Sequence, residues 1–85
     1  MRLTFENSTA LEGFFAIAED KKLLKRLTKL IRDIKRSPFS GIGKPEALKG
    51  RPGHWSRRID DYHRIVYEIQ DNEIKIHECG GHYEG

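Results

Sequence analysis

The chain has 85 residues, enough for one domain over residues 1–85, and a chain of this size buries only about 60–65% of its unfolded surface. With 36% hydrophobic and 34% charged residues, the composition is typical of a globular domain and not of a disordered or membrane-spanning chain. The single cysteine, Cys79, excludes an intrachain disulfide and a zinc site built from thiolates, and it favours a reducing cytoplasm. No export signal is expected, because the apolar stretch at residues 13–18 is too short for one.

The N-terminal half predicts one strand and two helices. Residues 2–6 alternate polar and apolar side chains, which indicates a first strand. Thr9 and Glu12 have the spacing of a capping box, so a first helix is expected from there to about residue 18. Asp20 fits the N-cap of a second helix, in which leucine and isoleucine recur every three or four residues until the Ser-Pro pair at 37–38 ends it.

The C-terminal half predicts four strands separated by loops and tight turns. A loop rich in glycine and proline at residues 39–45 leads to a short strand at 46–48. Three further strands are expected at residues 54–59, 63–70 and 73–79. They indicate an antiparallel meander.

Alternation along these strands assigns side chains to two faces. Ile65, Tyr67 and Ile69 would share the face that meets the helices, while Arg58 and Arg64 would lie on a polar, cationic face. The sequence therefore predicts an α+β fold with the order β-α-α-β-β-β-β, in which two N-terminal helices pack on one side of a curved antiparallel sheet.

The basic residues are concentrated in the second predicted helix. Residues 21–36 hold eight of the sixteen lysines and arginines, with Asp33 as the single acid. Such a field favours a polyanionic partner, because neutralising phosphates releases counterions. The residues considered for this contact are Lys22, Lys25, Arg26, Lys29 and Arg32. A solvated helix face is an equally good interpretation of the composition.

A set of residues suited to acid–base catalysis remains once metal-dependent and nucleotide-dependent chemistry are set aside. No metal is expected, because the four histidines show no grouping with carboxylates at ligand spacing; they are His54, His63, His77 and His82. No cofactor is expected either, since glycine patterns for nucleotides are missing. The remaining candidates are Glu46, Lys49, Arg58, Arg64, His82 and Tyr83. They suit metal-free RNA cleavage, which needs a base for the 2′-hydroxyl, cations for the phosphorane and an acid for the departing 5′-oxygen.

A series of short motifs from Ser37 onward resembles the YoeB/Txe family of toxins. In order, they are Ser37-Pro38-Phe39, Gly43-Lys44-Pro45-Glu46, Leu48-Lys49, Trp55-Ser56-Arg57-Arg58-Ile59, His63-Arg64-Ile65-Val66-Tyr67, Cys79 and His82-Tyr83. The resemblance covers nearly the whole chain, although the first third matches mainly in pattern. It implies the RelE/ParE-type fold, which agrees with the architecture read from the residues.

The resemblance also implies an activity, namely ribosome-dependent cleavage of messenger RNA in the A site, which inhibits translation. By position, Glu46 would be the general base, His82 the general acid and Arg64 the cation that stabilises the transition state. Tyr83 would orient the RNA or assist the acid. RNA phosphates would be contacted by Lys44, Lys49 and Arg58, and the basic second helix would dock on the ribosome.

The partners implied by the resemblance are a YefM-like antitoxin, the ribosome with its message, and operator DNA bound only by the toxin–antitoxin complex. A homodimer is also implied, with no membrane association. The chain departs from the family pattern at Gly80-Gly81, where bulkier residues are common, and at Glu84-Gly85, which follow the tyrosine.

Two other functions are consistent with the fold alone. A ParE-like toxin would bind a protein such as DNA gyrase without cutting RNA, and a small nucleic-acid-binding module would use only the basic helix. Neither has a use for Glu46, Arg64 and His82 held together, so the enzyme is the preferred interpretation.

Overall fold

The structure, a computed structural model, describes residues 1–81 and has two helices packed on one face of a five-stranded sheet. The elements in chain order are β1 (Arg2–Phe5), α1 (Ser8–Ala18), α2 (Lys21–Arg36), β2 (Glu46–Ala47), β3 (His54–Arg58), β4 (Arg64–Gln70) and β5 (Glu73–Gly80). In space the strands run in the order β1-β5-β4-β3-β2. The predicted α+β class and element order are confirmed, and the predicted strand bounds differ by one residue at most.

The sheet is mixed, which corrects the prediction of an antiparallel sheet. β1 runs parallel to β5, with Leu3 opposite Ile74 and Phe5 opposite Ile76, while the other three strand pairs are antiparallel. This pairing joins the two ends of the chain. The alternation of polar and apolar residues within a strand shows which face is buried but not whether a distant partner strand runs parallel or antiparallel.

Both helices begin at a polar N-cap. The Asn7 side chain accepts a hydrogen bond from the Ala10 amide (2.8 Å), so α1 starts one residue after Asn7 and the predicted capping box of Thr9 and Glu12 is wrong. The N-cap role of Asp20 is confirmed, since its carboxylate accepts from two amides of the first turn of α2. Neither helix has the length and apolar character needed to cross a bilayer, within residues 1–81.

The core lies between the helices and the sheet. Its buried members are Ala10, Ile17, Leu27, Leu30, Ile34, Ile59, Ile65, Tyr67, Ile74, Ile76 and Cys79. The predicted inward face of β4 is confirmed, because Ile69 also packs against this cluster. Trp55 lies at its edge, with its ring 5.0 Å from that of Phe39. The opposite face of the sheet, which carries no helix, is called the open face below.

One charged side chain is buried in this core. Arg57 is 0% exposed and its guanidinium donates to the Asp33 carboxylate at 2.5 Å and to the Tyr67 hydroxyl at 3.1 Å. The same guanidinium donates to the backbone carbonyls of Ser37, Ser40 and Ile42. Because the Arg57 hydrogen bond favours the ionised carboxyl, the pKa of Asp33 lies below its ordinary value. Arg57 therefore ties β3 to α2 and to the loop that precedes β2.

The close packing of α1 on β5 depends on Gly13. A Cβ at this position would lie 1.8 Å from the carbonyl oxygen of Cys79, so α1 would have to move away from the sheet. We expect Gly13→Ala to lower the free energy of unfolding by about 1–3 kcal/mol, the usual cost of overpacking, although alanine is intrinsically the better helix former. Urea denaturation measures the change. Glu12→Ala, at an exposed neighbouring position of α1, is the control, and equal stability of the two variants would contradict the prediction.

Candidate active site on the open face of the sheet

The register of the strands brings Glu46 close to two arginines on the open face. Glu46 of β2 lies opposite Ser56 of β3, and Arg58, two residues further along β3, lies directly opposite Arg64 of β4. Residues two apart in a strand point to the same side, so Glu46, Arg58 and Arg64 share this face. The strands of Glu46 and Arg64 are separated by two strand spacings, about 10 Å, a gap that long side chains can span.

These three side chains are not engaged elsewhere in the described structure. Within residues 1–81, Glu46, Arg58 and Arg64 form no side-chain hydrogen bond or ion pair. Glu46 is therefore not paired there with either of the lysines that flank β2, Lys44 and Lys49. Directly opposed arginines repel one another. A bound anion would offset the repulsion between the two guanidinium groups. The exposed carboxylate of Glu46 lies on the same face beside them.

The predicted phosphate contacts lie near the two ends of β2. Lys44 precedes β2 in a left-handed conformation (φ 53°) and borders, with Arg58 and Arg26, a cleft of about 290 Å³ next to the turn between β3 and β4. Lys49 is exposed in the turn that follows β2. Lys44 and Arg58 are therefore brought together, whereas Lys49 lies beyond the opposite end of β2.

The basic residues of α2 are divided between two surfaces. Lys22, Lys25, Lys29 and Arg32 are exposed. Arg26 is half-buried and its Nε donates to the Ile59 carbonyl at 3.1 Å, so it belongs to the cleft beside Lys44. Since α2 covers the inner face of the sheet, its exposed residues point away from the open face.

The two predicted residues of the C-terminal segment, His82 and Tyr83, lie outside the described residues. The described chain ends beside Arg64, because Gly80 is the register partner of Arg64 across β4 and β5. A cavity of about 340 Å³ at this point is bordered by Arg64, the last residues of β5 and the start of α1.

Cys79 offers no nucleophile to this site. Its side chain is buried at the inner face, and burial raises the pKa of the thiol to about 11. The thiol is thus protonated and sequestered at neutral pH, so its place in the family motif is explained by packing.

A second group on the open face was missed by the sequence analysis. His54 lies opposite Glu68 across β3 and β4, and His77 Nε2 is 3.0 Å from Glu68 Oε1. The prediction that no histidines group with a carboxylate is therefore wrong. The hydrogen bond from His77 also holds the pKa of Glu68 below its ordinary value.

A β-bulge explains why this group was not foreseen. Val66 pairs with Glu78 but Tyr67 pairs with Ile76, so His77 is an extra residue in β5. The bulge lets His77 and Glu78 both serve the open face, where Glu78 accepts a hydrogen bond from Arg51 at 2.7 Å, and it returns Cys79 to the core. Strict alternation would have placed Cys79 outward.

Comparison with solved structures identifies the class of protein that has this fold. A YoeB/ParE toxin from Agrobacterium tumefaciens superimposes with a TM-score of 0.90 at 36% identity, covering 98% of this chain and 100% of that one. The YoeB dimer from Staphylococcus aureus gives 0.88 at 42% identity, and the YoeB–YefM heterotetramer from the same organism gives 0.86 at 42%; each match covers 98% of both chains. The architecture is that of the YoeB/ParE class of small toxins.

The sequence comparisons identify the family within that class. The family described as YoeB-like toxin of bacterial type II toxin-antitoxin system matches residues 5–83. A Toxin YoeB from Streptomyces coelicolor is 51% identical over 85 residues, and a Toxin YoeB from Mycobacterium bovis is 49% identical over the same length, each match covering 98% of this chain and 100% of the relative. The chain belongs to the YoeB-like toxin family.

Proposed function

We propose that this toxin is a ribosome-dependent endoribonuclease that cleaves messenger RNA without a metal ion and thereby inhibits translation. The observation that carries the proposal is the shared placement of Glu46, Arg58 and Arg64 on the open face, with none of the three paired within residues 1–81. A carboxylate beside two uncompensated guanidinium groups suits a reaction in which negative charge accumulates on a phosphate.

In the proposed reaction, Glu46 removes the proton of a ribose 2′-hydroxyl. The 2′-oxygen then attacks the adjacent phosphorus, and the guanidinium of Arg64, supported by Arg58, stabilises the charge of the phosphorane. The bond from phosphorus to the 5′-oxygen breaks as that oxygen takes a proton. By family resemblance the proton comes from His82, with Tyr83 orienting the RNA. The products are a 2′,3′-cyclic phosphate, or its hydrolysed form, and a 5′-hydroxyl end. DNA is excluded because it lacks the attacking hydroxyl.

The cationic residues outside this centre are assigned to RNA binding. Lys44, Lys49 and Arg58 would contact phosphates of the message. The exposed residues of α2, which are Lys22, Lys25, Lys29 and Arg32, would contact ribosomal RNA on the other side of the domain. Because the two surfaces point in opposite directions, the domain could lie between message and ribosome within the A site.

The partners follow from the same proposal. A YefM-like antitoxin would bind through an extended segment that covers the open face, and the pair would bind operator DNA as a complex. The solved Staphylococcus aureus structures are a YoeB dimer and a YoeB–YefM heterotetramer, which supports a dimer and an antitoxin for this chain as well. The toxin would act in the cytoplasm, where translation takes place.

Primer extension on a message under translation tests the function. Added toxin should produce new 5′ ends within the translated region, and Glu46→Gln should lower their rate of formation by about 10²–10⁴-fold, the usual contribution of a general base. Glu19→Gln, which neutralises an exposed carboxylate at the end of α1, should cleave like the unmodified chain. Cleavage by Glu46→Gln at the unmodified rate would remove Glu46 from the role of base. Growth inhibition without any new RNA ends would instead favour a ParE-like binding toxin.

A further inference from the structure

Three side chains on neighbouring strands converge on one point of the open face, beside the proposed catalytic residues but distinct from them, since His77 borders the same cavity as Arg64. One ligand atom from each of His54, Glu68 and His77 lies within 4.8 Å of the others. The imidazole rings of His54 and His77 are 4.2 Å apart, and His77 Nε2 contacts Glu68 Oε1 at 3.0 Å. We propose that this cluster is a binding site for a divalent transition metal ion, with Zn²⁺ the best chemical fit.

The ligand set has the composition expected for such an ion. Two imidazole nitrogens and one carboxylate oxygen form a common three-ligand zinc set that leaves a fourth position open. Ligand distances of about 2.0–2.2 Å in a tetrahedral site place neighbouring ligand atoms about 3.4 Å apart. The contact between His77 and Glu68 is already near that value. Because all three ligand atoms lie within 4.8 Å of one another, binding requires a shift of at most about 1.4 Å at His54, which rotation of a half-buried side chain supplies.

The surrounding structure orients at least one ligand. His54 Nδ1 lies 3.3 Å from the Pro52 carbonyl oxygen. A bond to a carbonyl fixes the protonated nitrogen and leaves the Nε2 lone pair for a metal, the arrangement usual for ligating histidines. All three residues also belong to hydrogen-bonded strands, with His77 held at the bulge, so the backbone of the site is preformed.

The Glu68 carboxylate is the one negative charge of the cluster that can balance a bound cation. The Glu78 carboxylate is paired with Arg51. Lys75 is the register partner of Glu68, and its positive charge interacts with the Glu68 carboxylate. A metal ion would have to compete with Lys75 for this carboxylate. None of these residues takes part in the proposed RNA cleavage, so this inference and the proposed function can fail separately.

Titration of the full chain without an affinity tag tests the site. Calorimetry with Zn²⁺ should give one ion per chain, and Co²⁺ should give the visible absorption of a tetrahedral site. His77→Ala and Glu68→Gln should each weaken binding by more than about tenfold, since losing even an outer-sphere partner costs about 10–100-fold. Zn²⁺ should raise the melting temperature of the unmodified chain but not that of these variants.

Two control variants make the outcome decisive. His63→Ala removes a histidine that also contacts a carboxylate, Asp60, but lies outside the cluster, and it should bind Zn²⁺ like the unmodified chain. Thermal unfolding without metal verifies that each variant folds, and His54→Gln replaces any variant that does not. The proposal is overturned if the unmodified chain binds no stoichiometric ion. It is equally overturned if His63→Ala, or His82→Ala in the tail, loses binding while His77→Ala retains it.

Discussion

Replacing Arg64 by alanine is expected to slow cleavage of translated messenger RNA by about 10²–10³-fold, the usual effect of removing one group that stabilises transition-state charge. The guanidinium forms no hydrogen bond within residues 1–81 and lies directly opposite Arg58. Truncation therefore removes a repulsion and no structural bond, so the free energy of unfolding should change by less than about 1 kcal/mol. A large loss of rate at unchanged stability is the signature of a catalytic role.

The rate is measured by quantitative primer extension in a reconstituted translation reaction, and stability by urea denaturation of the same preparations. Arg64→Lys should recover only part of the rate, because an ammonium keeps the charge but lacks the planar fork of the guanidinium. Arg2→Ala, at an exposed arginine of β1 that pairs with Glu73, is the matched control. If Arg64→Ala cleaves as fast as Arg2→Ala, Arg64 has no part in the chemistry.

The largest effect on stability is expected at Arg57. Arg57→Met would leave the Asp33 carboxylate, the Tyr67 hydroxyl and three backbone carbonyls without their buried donor. Removing one partner of a buried charge pair typically costs about 3–5 kcal/mol, a large share of the roughly 4–13 kcal/mol available to a domain of this size. The melting temperature should fall by more than about 10 °C.

The neighbouring arginine provides a control for this prediction. Arg58→Met removes the same kind of side chain from the next position of β3, where it is exposed on the open face, and should leave thermal unfolding almost unchanged. Similar melting temperatures for Arg57→Met and Arg58→Met would show that the buried network contributes little.

The same network sets an acid limit to stability. The pKa of Asp33 is lower in the folded chain than in the unfolded chain, chiefly because of the Arg57 hydrogen bond. The pair therefore stabilises the fold fully above about pH 4, the ordinary range of the carboxyl, and the contribution is lost as the pH falls through the lower, folded value. Arg57→Met should weaken this part of the acid dependence but not remove it, because the Ile42 amide still donates to the Asp33 carboxylate.

Features that depend on short segments of chain could be predicted from the sequence. Helix α2 was found because its N-cap, its apolar period and the Ser37-Pro38 stop are all local signals. The strand bounds and the inward face of β4 followed from alternation and turn residues in the same way. Helix α1 was found with the wrong cap, since Asn7 and Thr9 are both good N-cap residues and only the packed helix decides between them.

The candidate site was predicted in part. Glu46, Arg58 and Arg64 were selected by motif order, and the structure brings them to one face. Their neighbours His54 and His77 were set aside because no carboxylate stands at ligand spacing from them in the chain, and Glu68 was not considered as a ligand. Arg57 was noted only as part of a motif. The roles of His82 and Tyr83 stay predictions, since both lie outside the described residues.

The sequence by itself determined the features that depend on residues close together in the chain. These are the helices, the strands, the apolar faces and, through the ordered motifs, the family. Tertiary structure decided the parallel pairing of β1 with β5, the burial of Arg57, and the bulge that turns His77 toward Glu68. Each of these depends on register between distant strands or on competition for space in a shared core. The residues adjacent to a given position in the chain do not specify which distant strand it pairs with or whether it is buried in the shared core.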